Sequence, residues 1–194
     1  NRFGKVDILI NNAALTVKGG TDQARDYFLP FEEYPEVLWA QSLAVGLTGA
    51  YLCAQQVGRI MLKQQNGVIV NISSTYGIVG PDSRIYEGSQ NPYDEGRGLN
   101  TPVAYSVVKS GIIGLTRYLA AHWRGKNIRV NTLTPGGVFD GHDDKFVENY
   151  SAKTILGRMA EVDEYKGALL FLSSDASSYM TGANLIVDGG WTAW

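Results

Sequence analysis

Tyr105 and Lys109 stand four positions apart in the run Tyr105-Ser106-Val107-Val108-Lys109. On a helix that spacing puts both side chains on one face, side by side. A phenol has a reference pKa near ~10 and keeps its proton at neutral pH. An ammonium beside it favours the phenolate and is expected to lower that pKa. Such a tyrosine can pass a proton to or from a hydroxyl that is becoming a carbonyl. With 11 tyrosines in the chain, the same pair could also be an ordinary piece of helix surface, so its meaning depends on its context.

That context begins with the run Tyr105–Ala121, where Val108, Ile112, Leu115 and Leu119 form one apolar stripe. Thr101-Pro102 ahead of it predicts a hydroxyl N-cap followed by proline at the first helical position. Val6–Asn11, Gly67–Ser73 and Ile128–Leu133 are apolar and β-branched and predict buried strands, with Asn184–Asp188 as a short fourth. From Phe31 to about Gln65 apolar residues recur at helical spacing, with Gly46 and Gly49 as weak points in one long helix or two joined ones. Glu161–Ser173 predicts another helix. Ala13–Pro30, which contains Gly19-Gly20, predicts a loop with a helical turn near Asp22–Phe28, and Val138–Arg158 an irregular stretch with some helix. Strands alternating with helices imply an α/β fold, a doubly wound parallel sheet with helices on both faces. Tyr76–Asn100 has no clear period and is longer than an ordinary loop, which makes it a functional candidate.

The 194 residues are 44% hydrophobic and 19% charged, which suits one domain with a substantial core. A net charge of −2 leaves no basic excess for nucleic acid and no polybasic run for a membrane surface. Cys53 is the one cysteine, so no internal disulfide can form, and its apolar helical surroundings predict a buried thiol. Two histidines and one cysteine give no metal-ligand spacing. No apolar run approaches the roughly 18 residues of a membrane span, and no signal peptide is recognisable. The expectation is a cytoplasmic protein whose partner is a small molecule.

In chain order, the landmarks are Asn11-Asn12-Ala13-Ala14, Ser73-Ser74, Tyr105 with Lys109, Arg129-Val130-Asn131 with Pro135-Gly136, and Val187-Asp188-Gly189-Gly190. Each is weak; the ordered set resembles the short-chain dehydrogenase/reductase family over essentially the whole chain. The resemblance implies a Rossmann-like sheet and hydride transfer between NAD or NADP and an alcohol or ketone. It implies Tyr105 as general acid/base, and Lys109 as the lysine that lowers the tyrosine's pKa and bonds the nicotinamide ribose. Ser74 matches the serine that holds the substrate oxygen, with Ser73 as the alternative one position away. Asn12 and Ala13 match the turn beside the adenosine half of the cofactor, and Pro135 and Gly136 the loop at the nicotinamide. Members commonly form homo-oligomers through their long helices. The stripe on Val108–Leu119 suits that, and it suits burial inside the monomer equally.

Four departures qualify the resemblance. Gly46 stands where the family has an asparagine that helps hold a water chain to the lysine. Gly46→Asn is therefore expected to raise turnover, or not lower it, and to stabilise the helix slightly. The interval from Ser74 to Tyr105 is much longer than the family's, and the excess, Pro81–Asn100, resembles a substrate-side insertion. Within it Arg84 and Arg97 are candidates to recognise a phosphate or carboxylate, and Tyr86 and Tyr93 to stack on a ring; a solvated surface loop is the plainer alternative. Asp140 replaces a threonine that often follows the Pro-Gly loop. No glycine-rich phosphate loop follows a first strand, so residues 1–194 resemble one domain truncated at its N-terminus, the C-terminal two-thirds of such an enzyme and inactive alone. The insertion, with Arg84-Ile85-Tyr86-Glu87-Gly88, is similar to a subgroup linked to surface-sugar and flagellin modification. A polar, sugar-like substrate is implied. A 3-oxoacyl-carrier-protein reductase, a polyol dehydrogenase, or a non-catalytic interaction protein that kept the fold are the alternatives.

Overall fold

The computed structural model describes residues 3–16, 22–94 and 96–194. The Gly19-Gly20 part of the expected loop lies outside them. Among the described residues four strands form one sheet in the order β1 (Ile8–Asn11), β2 (Gly67–Ile72), β3 (Ile128–Pro135) and β4 (Asn184–Val187). Every neighbouring pair is parallel, with Ile69 opposite both Leu9 and Val130. Parallel neighbours need crossover connections, and helices supply them. These are α1 (Asp22–Tyr27), α2 (Glu36–Leu43), α3 (Gly49–Gln64), α4 (Val103–His122), α5 (Asp144–Ser151) and α6 (Lys166–Ser173).

β2 and β3 are buried on both faces, which is why both are almost continuously apolar or β-branched. On one face Ile69, Ile128 and Val130 pack against Ala54 and Met61 of α3 and Leu119 and Trp123 at the end of α4. On the other, Val70 and Leu133 meet Leu172 of α6. The stripe on α4 is core: Val108, Ile112 and Leu119 are all buried within the monomer.

The outcome differs from expectation at several places. β1 is not a buried strand. It lies at the sheet's edge, so Ile8 and Ile10 remain 45% and 42% exposed while Leu9 packs into the core. Cys53 is exposed, because α3 turns Ala50, Ala54, Gly58 and Met61 inward instead. The N-cap of α4 is Pro102, not Thr101, whose hydroxyl lies 3.1 Å from Tyr86 Oη. Glu36–Gln64 is continuous, long and apolar enough by length and composition to cross a membrane. α3 packs one face, Ala54 and Met61, on the sheet, and 28% of the apolar window is buried.

α2 and α3 join through a π-helical turn, Ala44–Thr48, centred on buried Gly46. A Cβ on Gly46 would come 2.5 Å from Val108 Cγ1 on α4. Glycine is required here by the approach of two helices, and the expectation that Gly46→Asn would stabilise is overturned by that contact.

The insertion is anchored through Ile85 and Asn91, while many of its residues, Arg84 and Arg97 among them, stay exposed as in a surface loop. Ile85 is 1% exposed and joins Phe146, Tyr150, Met159 and Trp191 in one cluster. Asn149 of α5 donates to the carbonyls of Ile85 and Glu87 at 3.3 and 2.8 Å, and Lys153 pairs with Asp82. Farther along, Tyr93 stacks on Phe28 at 5.2 Å, and Arg25 holds Asp94 at 3.1 Å.

Candidate active site

The carboxyl ends of β1, β2 and β3 open on a cleft of about 520 Å³, where doubly wound sheets take their ligands. Ser74 follows β2 and caps a short turn, Thr75–Gly77, accepting a 3.3 Å hydrogen bond from the Tyr76 amide. Its own hydroxyl proton stays available for donation. The turn sits directly on α4. A Cβ on Gly77 would lie 2.5 Å from Ser73 Oγ and 2.7 Å from the Lys109 carbonyl, so only glycine allows this approach. Ser73 and Ser74 both line the cleft, but Ser73 is fully buried and its hydroxyl is committed to the Lys109 carbonyl at 2.7 Å, whereas Ser74 only accepts, from the Tyr76 amide.

α4 then presents Tyr105 and Lys109 to the same cleft. Lys109 Nζ lies 5.6 Å from the Tyr105 ring centroid and donates to the Ile72 carbonyl at 2.9 Å. Only 5% of Lys109 is exposed, and burial lowers its pKa to about 8. Burial also raises the Tyr105 phenol above its ordinary value, and the adjacent Ser74 hydroxyl pulls it part of the way back. The phenol is therefore raised, not lowered as expected, because its own desolvation dominates and the one lowering partner is Ser74, not Lys109.

About two turns along α4 from Lys109, Thr116 is 1% exposed and anchors a polar network. Asn11 donates to Asn71, Asn71 to Thr116 and Thr132 to Thr116, each at 2.8 Å, tying three strands to the helix. Asn131 donates to the Met180 carbonyl and accepts from the Ala183 amide, so the Arg129-Val130-Asn131 motif clamps the approach to β4 and does not reach the cleft.

Pro135, Gly136, Gly137 and Val138 form another wall. Tyr165 Oη donates to the Gly136 carbonyl at 3.1 Å, and the Gly137 amide donates to Tyr150 Oη. Tyr150 in turn stacks on Trp191 at 4.5 Å. Nothing in the local pattern around Tyr150 marks it; its role comes from residues far away in the chain.

Of the remaining candidates, Asn12 lines the cleft and Ala13 does not, although Ala14 does. Arg84 and Arg97 are not brought there either. Arg84 turns outward to Asp82 at 2.7 Å, and Arg97 pairs with Glu33 at 2.9 Å. Tyr27, Tyr76, Tyr86, Thr101, His142 and Tyr150 line the cleft instead. Among the described residues lining the cleft, Lys109 is the one lysine or arginine, and there is no aspartate or glutamate.

Residues 1–89 match the family model described as short chain dehydrogenase, and residues 93–192 the model described as Enoyl-(Acyl carrier protein) reductase. A D-threitol dehydrogenase of Mycolicibacterium smegmatis is 35% identical over 98% of this chain and 64% of its own length. The post-translational flagellin modification protein A of Campylobacter coli is 36% identical over 98% of this chain and 69% of its own. A short-chain dehydrogenase of Leptospira borgpetersenii, solved with bound NAD+, superposes with a TM-score of 0.83 at 36% identity, covering 98% of this chain and 66% of that one. The chain thus spans about two thirds of the length of such relatives. The parallel sheet order and these matches over nearly the whole chain agree on one placement: the chain belongs to the short-chain dehydrogenase/reductase family.

Proposed function

We propose that the cleft is the active site of an NAD- or NADP-dependent oxidoreductase that interconverts a hydroxyl and a ketone on a neutral, sugar-like substrate. The observation that carries this is the meeting of the Tyr105 phenol, the Lys109 ammonium and the Ser74 hydroxyl in one cleft whose other walls mix tyrosine and threonine hydroxyls with apolar side chains and hold no further charge among the described residues. The cleft fits a nicotinamide and its ribose. Lys109 Nζ uses one donor on Ile72 and keeps others for ribose hydroxyls, and the Pro135–Val138 loop offers backbone groups at a strand end. A nicotinamide bound there would give or take the hydride.

The chain's own residues manage the oxygen and its proton. Ser74 donates to the substrate oxygen and fixes its direction. Tyr105, kept protonated at neutral pH by burial, gives its proton to the oxygen during ketone reduction and recovers it during alcohol oxidation. Lys109 favours the phenolate as it forms. Tyr76 and Thr101 bring two hydroxyls to one wall of the cleft, where substrate hydroxyls would find partners. The D-threitol dehydrogenase relative supports a polyol as the type of substrate.

Tyr105→Phe in the enzyme tests the reading. It is expected to cut turnover roughly 10²–10⁴-fold while cofactor affinity, followed by NADH fluorescence, stays nearly unchanged. Turnover within about threefold of the parent would end the assignment. Alcohol oxidation is expected to rise toward alkaline pH, because it needs the phenolate of a phenol whose pKa is raised.

A further inference from the structure

The cleft does not close beyond Phe28, Tyr86, His142 and Phe146. The same four side chains line a second cavity of about 1180 Å³, which runs between the insertion and the segment leading into α5. Building on the function proposed above, we propose that this outer cavity is a second subsite, which takes a further neutral, hydroxyl-rich unit such as a glycosyl residue, attached to the polyol or sugar that reacts in the cleft.

Size is the first reason. The outer cavity adjoins the cleft and has more than twice its volume, about 1180 against 520 Å³, which leaves room for a unit beyond the one that reacts. Its walls are the second. Phe28 and Tyr93 stack at 5.2 Å with planes 6° apart, and His142 and Phe146 at 4.8 Å and 17°. The faces of aromatic rings carry partial negative charge and attract the C–H edges of a sugar ring. Ser89, whose Oγ is buried without a partner among the described residues, and the exposed Gln90, which carries an amide, also line the cavity. A buried hydroxyl left unpaired is costly until a ligand meets it.

Charge selects the class of ligand. Arg97 is the one lysine or arginine lining the cavity among the described residues, and it already holds Glu33 at 2.9 Å with Asp94 at 3.7 Å. Asp143 caps α5, accepting from the Phe146 amide at 3.0 Å. Asp140 has no ion-pair partner among the described residues and would repel an anion. A phosphate-bearing extension finds no free cation here, whereas hydroxyls find an amide, a hydroxyl and an imidazole.

Oxidation of sorbitol against maltitol, which is sorbitol carrying a neutral glucosyl unit, tests the subsite in the enzyme. The kcat/KM for maltitol is expected to exceed that for sorbitol about tenfold. Tyr93→Ala, which removes one aromatic platform of the outer cavity and lies outside the cleft, is expected to remove most of the advantage and leave sorbitol oxidation as it was. Equal values, or an advantage that survives Tyr93→Ala, overturn the subsite, as does tighter competitive inhibition by UDP-glucose than by maltitol. Saturation-transfer NMR on the same protein separates this idea from the proposed activity. If neither polyol is oxidised, the oxidoreductase reading fails. In that case saturation of the glucosyl protons of maltitol, lost in Tyr93→Ala, still upholds the subsite, and its absence overturns it.

Discussion

Tyr150 holds the Pro135–Val138 loop through one hydrogen bond, from the Gly137 amide, while its ring is fixed by stacking on Trp191. Tyr150→Phe keeps the ring and the stack and leaves that amide without its acceptor. If the loop positions the nicotinamide, KM for the cofactor should rise about fivefold with kcat much less affected, as expected for roughly 1 kcal/mol lost in binding. A lower melting temperature with KM unchanged would make Tyr150 purely structural. Lys109 makes a second prediction. Burial lowers its pKa from 10.5 to about 8, so between those values the unfolded chain holds one proton more than the folded one. Stability attributable to this group therefore rises with pH through that window, and its penalty is complete below it, on the order of 3 kcal/mol. Relative to Lys109→Met, the parent should gain melting temperature between pH 8 and 10. A constant difference would mean that Lys109 titrates as an ordinary lysine.

The junction of α2 and α3 is the element most sensitive to substitution near the site. A π-helical turn inserts an extra residue into the helical ladder, and such turns often mark functional positions. Here it seats Gly46 against Val108, one residue before Lys109 on α4. Gly46→Asn must displace a stiff, β-branched side chain, at a cost of about 1–3 kcal/mol. A second substitution, Val108→Ala, should recover part of the loss by making room. Thermal unfolding of the single and double variants decides this. A single variant as stable as the parent would show that the helices can separate freely.

The insertion, α5 and the loop after β3 form one connected wall. Ile85 is its keystone: fully buried in a segment that is otherwise polar, it packs with Phe146 and Tyr150 of α5 and with Trp191 near the C-terminus. Ile85→Ala is expected to cost about 2–5 kcal/mol by urea unfolding, and to weaken cofactor binding as well, because Tyr150 loses its backing. A cost below about 1 kcal/mol would mean that the wall repacks around the cavity.

Much of this was legible in the sequence because it rests on local rules. Strand and helix periods need only backbone geometry, so the order of elements, the parallel sheet and the shared face of Tyr105 and Lys109 follow from spacing. Even the weak point of the long helix lay at its glycines, where the π-helical turn stands. What distinguishes Ser73 from Ser74 is their partners in the folded chain, the Lys109 carbonyl for the first and the Tyr76 amide for the second, and no local pattern encodes that. The rest depended on contacts between residues distant in the chain, which no local pattern encodes. Cys53 lies in an apolar run yet faces outward, because the sheet covers the opposite side of α3. Ile85 lies in a polar run yet is core, because α5 covers it. Arg84 and Arg97 found carboxylates nearer than the cleft and are held there. The phenol of Tyr105 was expected to be lowered by its neighbour on the helix, but the burial that raises it comes from the walls of the cleft, which are assembled from the whole chain. Spacing specifies which groups share an element, whereas desolvation and pairing depend on every element that closes around them.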